Sequence, residues 1–418
     1  MKRLLAGASV GALSLSPLRH LEARDKPGRF QPDGLDDEAL WEEVRQQFTF
    51  AEGQIYFNCA TFGLMPAPVQ KAMAEAYQKL IRGRYNLSKK PRKKVAQMLN
   101  AEPKEVALTH NTTEGINIVA AGLPLRRRDE IIMTDNEHVG NALPWLNRAR
   151  LDGVRIKVFS PAPTAAETLN RINDLVSRRT RVIAVPHITC TTGQVLPITE
   201  IATLAREKGA YSFFDGAHGP GTTPMDMAEI GGDFYASCGH KWLCGPPGTG
   251  MLYVRQDRIN DLKALMIGAY SDTGWELSRN EVRLDPLVET AHRFDYGTQN
   301  NSLRVGMMAA IEFMEKIGWE KIHARGCELA AYLQEKLLEM PHVEMLTPVE
   351  AKSRSFVIGF KVKGRSLEYF RKNIPMMSRV RIRMVPESGL NSLRISTHIF
   401  NTKAEIDELL AFVEATKL

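Results

Sequence analysis

The sequence predicts an α/β protein: a large domain on a mostly parallel sheet of seven strands covered on both faces, followed by a smaller C-terminal α+β domain. Two observations predict it. Short β-branched runs carry apolar residues on consecutive rather than alternate positions, as strands buried on both faces must, and amphipathic segments fill the intervals between them. From about residue 302 that alternation stops, and two long helical patterns are followed by strands and a last helix.

The expected strands are EVALTHN (105–111), EIIMTD (130–135), RIKVFS (155–160), TRVIAVPHI (180–188), YSFFDG (211–216), DFYASCG (233–239) and GMLYVR (250–255). Between them ITEIATLAREKG (198–209) shows helical spacing and closes on Lys208 and a stop glycine. Past 302 come LRVGMMAAIEFMEKIG and CELAAYLQEKLLEM as helices, SFVIGFKV and SLRIST as strands, and AEIDELLAFVEAT as a final helix. The expected division is an arm at 1–28, an N-terminal segment at 29–60 that is polar to about residue 50, a large domain at 61–297 bending near Gly297, and a small domain at 298–418 joined by parts of the N-terminal segment. MKRLLAGASVGALSLSP has the basic start and mildly apolar run of a secretory signal, resembling a twin-arginine signal without its arginine pair, and reads equally as a frayed helix. Location is therefore open between export and cytoplasm.

Composition narrows the function classes. A net charge of +7 invites an anionic partner, but the basic clusters at 89–94 and 126–128 are short and have no interleaved aromatics to stack bases, so no nucleic-acid partner is expected. The excess charge suits acidic metabolites instead. No run is long and apolar enough to span a bilayer, so no membrane partner is expected. Five cysteines in no CxxC or metal-like spacing argue against a disulfide framework and against a metal site.

In such a sheet, ligands sit beyond the carboxyl ends of the strands. Five polar sites fall on that rim: Thr112-Thr113 opening a helix, Asn136-Glu137-His138, Thr189-Cys190-Thr191, Asp215 with His218, and the SCGHKWLCGPPGTG segment around Lys241. The threonines offer hydroxyls and free N–H groups to a phosphate, or merely cap the helix. Asp215 at the end of a buried strand needs a cation, either a protonated ring nitrogen or a structural partner. His138 covers an aromatic ring, or else is a capped or core histidine. A lysine in a dry site beside His240 has a lowered pKa and forms an imine with a carbonyl. Aldehyde to lysine, pyridine nitrogen to aspartate and phosphate to a helix start together describe pyridoxal 5'-phosphate.

DGAHGPGTTPMDMAEIGGDFYASCGHKWLCGPPGTGMLYVR closely resembles the signature of class V aminotransferases, the fold-type I pyridoxal-phosphate enzymes, and NTTEGIN, NEHVGNALPW, FDYGTQN and SLRISTHIFNTKAEID match further motifs in order. The resemblance covers about residues 50–415. It implies that Lys241 is the imine lysine, that Asp215 partners the pyridine nitrogen, that His138 stacks on the ring and that His218 contacts the phenolic oxygen. Thr112, Thr113 and His240 would hold the phosphate, with Ser237 or Cys238 serving it as well. Thr298 would reach the phosphate of a neighbouring subunit, which implies a homodimer with shared sites, and Arg394 would clamp the substrate's α-carboxylate.

Departures from the family pattern carry information too. Cysteine desulfurases of this class place a persulfide-forming cysteine in the loop before the carboxylate-binding arginine, where this chain has RIRMVPESGLNSLR, so desulfuration through a protein persulfide is disfavoured. The HITCTTGQVLPI and HKWLCGP versions resemble the isopenicillin N epimerase-like branch, which covers epimerases, transaminases and carbon–sulfur lyases. The expected activity is chemistry at the α-amino centre of an amino acid, with transamination or epimerisation ahead of lyase chemistry and side-chain recognition in loops such as 268–280. The reading of another class is a catalytically silent cofactor-binding sensor or partner-binding module.

Overall fold

The computed structural model describes residues 30, 32, 34, 37–84, 90–373 and 379–417; the arm at 1–28 lies outside them. The expected polar segment before residue 50 contains helix α1 (Asp37–Gln46), which is not a loose arm. Its Leu40 and Val44 are fully buried with Phe313, Trp242 and Phe400. Strand β1 (Ile55–Tyr56) leads to α2 (Ala67–Leu80) and α3 (Pro91–Met98), both of which begin with a proline in the first turn, where no N–H is needed.

The large domain then alternates strand and helix: β2 (Val106–Thr109), α4 (Thr112–Gly122), β3 (Glu130–Thr134), α5 (Val139–Asp152), β4 (Arg155–Phe159), α6 (Ala165–Leu175), β5 (Thr180–Pro186), α7 (Ile198–Glu207), β6 (Tyr211–Asp215), α8 (Met227–Ile230), β7 (Phe234–Cys238) and β8 (Gly250–Val254). These form one seven-stranded sheet in the order β2-β8-β7-β6-β5-β3-β4. β8 runs antiparallel to both neighbours and the other pairings are parallel. Every residue of β2, β3, β7 and β8 is buried, which is why these strands read as unbroken apolar runs; edge strand β4 shows exposed positions, as does Arg181 near the start of β5. Apolar cores lie on both faces of the sheet. Each fully buried Val, Ile or Phe there contributes about 1.5–3 kcal/mol.

An exposed hairpin, β9 (Trp275–Leu277) with β10 (Val282–Leu284), precedes α9 (Asn301–Ile317). The boundary expected at 298 precedes α9, whose Phe313, Met314 and Ile317 cluster with Phe356 and Val357. That helix also packs along α2 and α3 and contributes Met307 and Ile311 to the core of the large sheet. The small domain begins with α10 (Trp319–Leu338), followed by β11 (Val343–Met345), β12 (Val357–Val362), α11 (Leu367–Asn373), β13 (Val380–Arg381), β14 (Arg383–Val385), β15 (Ser392–Ser396) and α12 (Lys403–Ala415). Its four-stranded sheet has the order β11-β12-β15-β14, so Arg394 stands on a central strand. The N-terminal segment joins it through the parallel pair β1–β13.

Candidate active site

The carboxyl ends of β2, β3, β5, β6 and β7 bring the predicted rim residues together. At the start of α4 the cap is Asn111, whose side chain accepts from Glu114 N at 2.9 Å. Thr112 and Thr113 are thereby released from capping. Thr112 Oγ1 is buried without a hydrogen-bond partner, and so is His240 Nδ1. Unsatisfied buried polar atoms are costly, and both belong to residues expected to hold a phosphate.

Ser237 does not fit that role. Alternation along β7 turns it away from Thr112, and its fully buried hydroxyl donates to the Gly216 carbonyl at 2.8 Å. Cys238, on the opposite face, is the side chain that lies against Thr112.

Asp215 ends β6 with its carboxylate buried, and Oδ1 accepts from Ala217 N at 3.0 Å. Burial raises its pKa, while the Lys241 charge and the Ala217 N–H pull it down. A protonated ring nitrogen is the kind of cation this carboxylate lacks. His218 is oriented by Trp242, whose indole N–H donates to His218 Nδ1 at 3.0 Å. Indole N–H only donates, so the neutral His218 carries its proton on Nε2, which lies 3.3 Å from Lys241 Nζ. This places a donor beside the amine, where a phenolic oxygen would accept it. Burial, followed by the Lys241 charge, holds His218 well below the ordinary histidine range.

His138 is the N-cap of α5, with Nδ1 accepting from Gly140 N at 3.0 Å, so the capped-histidine reading is met without excluding ring contact. Burial and the charges of Lys241, Arg383 and Arg394 lower its pKa to about 4. A groove of ≈ 750 Å³ opens beside His138 and Thr113, with Val139, Leu143 and Leu146 of α5 on its wall. Thr298 is exposed.

Arg394 crosses from the small domain into this rim. It is fully buried, donates from Nη1 to the Cys190 carbonyl and from Nη2 to Thr61 Oγ1, each at 2.7 Å, and leaves Nε without a partner. Burial lowers its pKa to about 10, so it stays charged at neutral pH with no carboxylate on it. A substrate carboxylate answers that need.

Sequence reasoning gave no role to four contributors. Gly63 N donates to the His240 carbonyl at 2.7 Å, which fastens the chain after β1 to the Lys241 segment. Glu137 is held by Thr134 and Asn141, and burial with the nearby Asp215 charge pushes it up to about 8. Trp242 sets the His218 tautomer. Arg383 of β14 stands directly opposite Arg394 in the antiparallel register, so two guanidiniums share one face. Glu137 and Trp242 stood within the rim segments and Arg383 within the loop before Arg394, but the sequence attached no role to them, and nothing in it singled out Gly63.

Residues 56–409 match the family described as Aminotransferase class-V. The chain belongs to that family. Among curated relatives, a probable cysteine desulfurase of Methanothermobacter thermautotrophicus is 30% identical over 392 residues, covering 88% of this chain and 96% of the relative. The isopenicillin N epimerase of Amycolatopsis lactamdurans is 27% identical over 392 residues, with the same coverage of 88% and 96%. Among solved structures, the cystine C–S lyase C-DES with its product cysteine persulfide superposes with a TM-score of 0.79 at 25% identity, covering 87% of this chain and 98% of that one. A variant of C-DES carries glycine covalently linked to its pyridoxal-phosphate cofactor. Pyridoxal phosphate is accordingly the cofactor of this class V enzyme, and the orphan atoms of Thr112 and His240, the buried Asp215 and the Lys241 amine fit its phosphate, ring nitrogen and aldehyde.

Proposed function

We propose that this enzyme is a carbon–sulfur lyase for a sulfur-bearing amino acid with a second carboxylate, cystine being the simplest example. The observation that carries the reading is the segment 380–394, which contains no cysteine and sets Arg383, ion-paired with Glu387, opposite Arg394 on one face of the sheet. Without a thiol there, sulfur has no protein acceptor in that loop and must leave as a small molecule. Cys190 is no substitute, since burial pushes its thiol up to about 11 and keeps it protonated. The relatives named as desulfurases and as a cystine lyase support lyase chemistry over the transamination or epimerisation that the sequence placed first.

Pyridoxal phosphate, when bound, supplies the electron-withdrawing ring that makes the substrate's Cα–H acidic. Arg394 holds the α-carboxylate, and its pairing to Cys190 and Thr61 fixes the orientation of the fork. Arg383 exchanges its Glu387 partner for the distal carboxylate. Lys241 Nζ accepts the Cα proton as general base. In net terms the electron pair released at Cα becomes a Cα–Cβ double bond while the Cβ–S pair departs with sulfur. From cystine this gives cysteine persulfide, and water converts the other fragment to pyruvate and ammonia.

Reconstituted holoenzyme given L-cystine and L-cysteine tests the reading: pyruvate release with persulfide is expected, and alanine without pyruvate would sink it in favour of desulfuration. Arg383→Leu should raise KM for cystine roughly tenfold or more, the scale of a lost hydrogen bond to a charged group, while leaving KM for cysteine unchanged. A second reading, epimerisation, is favoured by the 27% identical isopenicillin N epimerase; loss of chirality at Cα without pyruvate would establish it instead.

The same reading makes the protein a homodimer with Thr298 serving the partner's phosphate site. Trp275, Leu277, Val282 and Leu284 of the β9–β10 hairpin and Val139 and Leu143 of α5 are all more than half exposed, an apolar surface that a second copy would cover.

A further inference from the structure

Three side chains that the proposed reaction does not use converge on the backbone of the Lys241 segment. Cys59 follows β1, Cys244 lies in the loop after β7, and His398 follows β15. Their ligating atoms all lie within 4.8 Å of one another, and none of the three residues is exposed. His398 Nε2 donates to the Trp242 carbonyl at 2.9 Å, so the lone pair of the neutral ring is on Nδ1, and Nδ1 is buried without a hydrogen-bond partner. Cys59 Sγ lies 3.6 Å from the Lys241 carbonyl and Cys244 Sγ lies 3.9 Å from that of Trp242. Cys244 adopts φ +56, a left-handed conformation unfavourable for a non-glycine residue, which turns the chain so that its sulfur joins the cluster. Around His398 the rings of Trp242 and Phe400 each stand at 5.4 Å, making an apolar wall.

The geometry points to a buried zinc site formed by Cys59, Cys244 and His398. Two sulfurs and one imidazole nitrogen are the donor set that zinc prefers, and bonds of about 2.3 Å to sulfur and about 2.0–2.1 Å to nitrogen need donors closer than 4.8 Å, so only a small contraction is required. The second ring nitrogen already has the backbone carbonyl partner that orients metal-ligating histidines. Binding releases both thiol protons, and two thiolates cancel the dication, so the cluster is neutral within its apolar shell. The ion would tie together the N-terminal segment, the loop carrying Lys241 and the end of the strand carrying Arg394, and so fix the distance between the amine and the carboxylate clamp.

Reduced full-length holoenzyme, equilibrated with zinc and then dialysed, provides the test. The expected result is one tightly held zinc per chain by elemental analysis, with an X-ray absorption shell of two sulfurs at about 2.3 Å and light-atom ligands at about 2.0–2.1 Å. Cys59→Ser and Cys244→Ser should lose the ion and its thermal stabilisation, whereas Cys327→Ala, removing a half-buried thiol beside His323, should keep both. Zinc retained by the Cys59→Ser protein, or a shell without sulfur, would overturn the site. If the serine variants fail to fold, the absorption spectrum of the unmodified protein still decides. An intact mass two hydrogens light, with Cys59 joined to Cys244 and no zinc bound, would also refute it.

Discussion

Lys241 and Asp215 show how one residue's role depends on its surroundings. Each could be a surface ion pair in isolation, but Asp215 is buried with its pKa raised by that burial, and the Lys241 amine stands 3.3 Å from a histidine whose tautomer Trp242 sets. Lys241→Ala should therefore lower pyruvate formation by at least about a hundredfold, the scale of losing a placed general base. Thr112, His240 and Asp215 remain in that variant, so it should still retain pyridoxal phosphate on dialysis. Turnover close to the unmodified rate would return the silent-module reading to the front. These residues were legible because strand ends and motif spacing mark them. Ser237 was not, since which of two adjacent side chains faces the cofactor depends on the pleat of β7, and the run SC fits either phase.

At the scale of elements, the site is held by close backbone approach as well as by side chains. A Cβ on Gly63 would sit 1.9 Å from the Lys241 carbonyl oxygen, so the turn after β1 fits against the Lys241 loop only without a side chain. Gly63→Ala should cost about 1–3 kcal/mol, the usual range for overpacking, and should reduce kcat by shifting the amine. Denaturant melts and single-substrate kinetics on the same preparation check both, and unchanged values in each would show that the turn relaxes freely. The helix α9 teaches a related lesson. Its apolar spacing was legible, but its assignment to a domain was not, because Met307 and Ile311 are buried equally well against either layer as far as periodicity can tell.

For the whole molecule, buried ionisable groups set the response to pH. Burial lowers His138, His187 and His240 to about 4 each, and His218 also lies well below the ordinary value of 6.5. Between 6.5 and about 4 the unfolded chain binds protons that the folded chain refuses, so the stability these groups contribute is present above 6.5 and lost as pH falls. Glu137 has the opposite sign: raised from 4.5 to about 8, its contribution is present at low pH and lost as pH rises through 8. Asp215 and Asp295, raised by burial, act in the same sense as Glu137, and four imidazoles outweigh these three carboxyls on the acid side. Thermal melts of the cofactor-free chain should therefore fall on acidification below 6.5, and fall more gently from 6.5 to 8, with Glu137→Gln reducing the second decline to the part due to His323, which its contact with Cys327 raises to about 8. A flat profile below 6.5 would mean that these histidines are not held neutral. Light scattering of the holoenzyme should give twice the 46.8 kDa chain mass, and a monomer would contradict the shared-site arrangement.

What the sequence determined by itself is the layered sheet, the cofactor and the rim residues Thr112, His138, Asp215, His218, His240 and Lys241, because buried strands must be apolar throughout and ligand-facing residues must follow them. The tertiary structure alone decided what depends on contacts between distant segments. It set Arg383 opposite Arg394, closed Gly63 against Lys241, and gathered Cys59, Cys244 and His398 into one cluster although their spacing along the chain argued against a metal site. Local pattern fixes which segments form strands and where the ligand-facing loops follow them; only the packing of one element on another fixes which side chains meet.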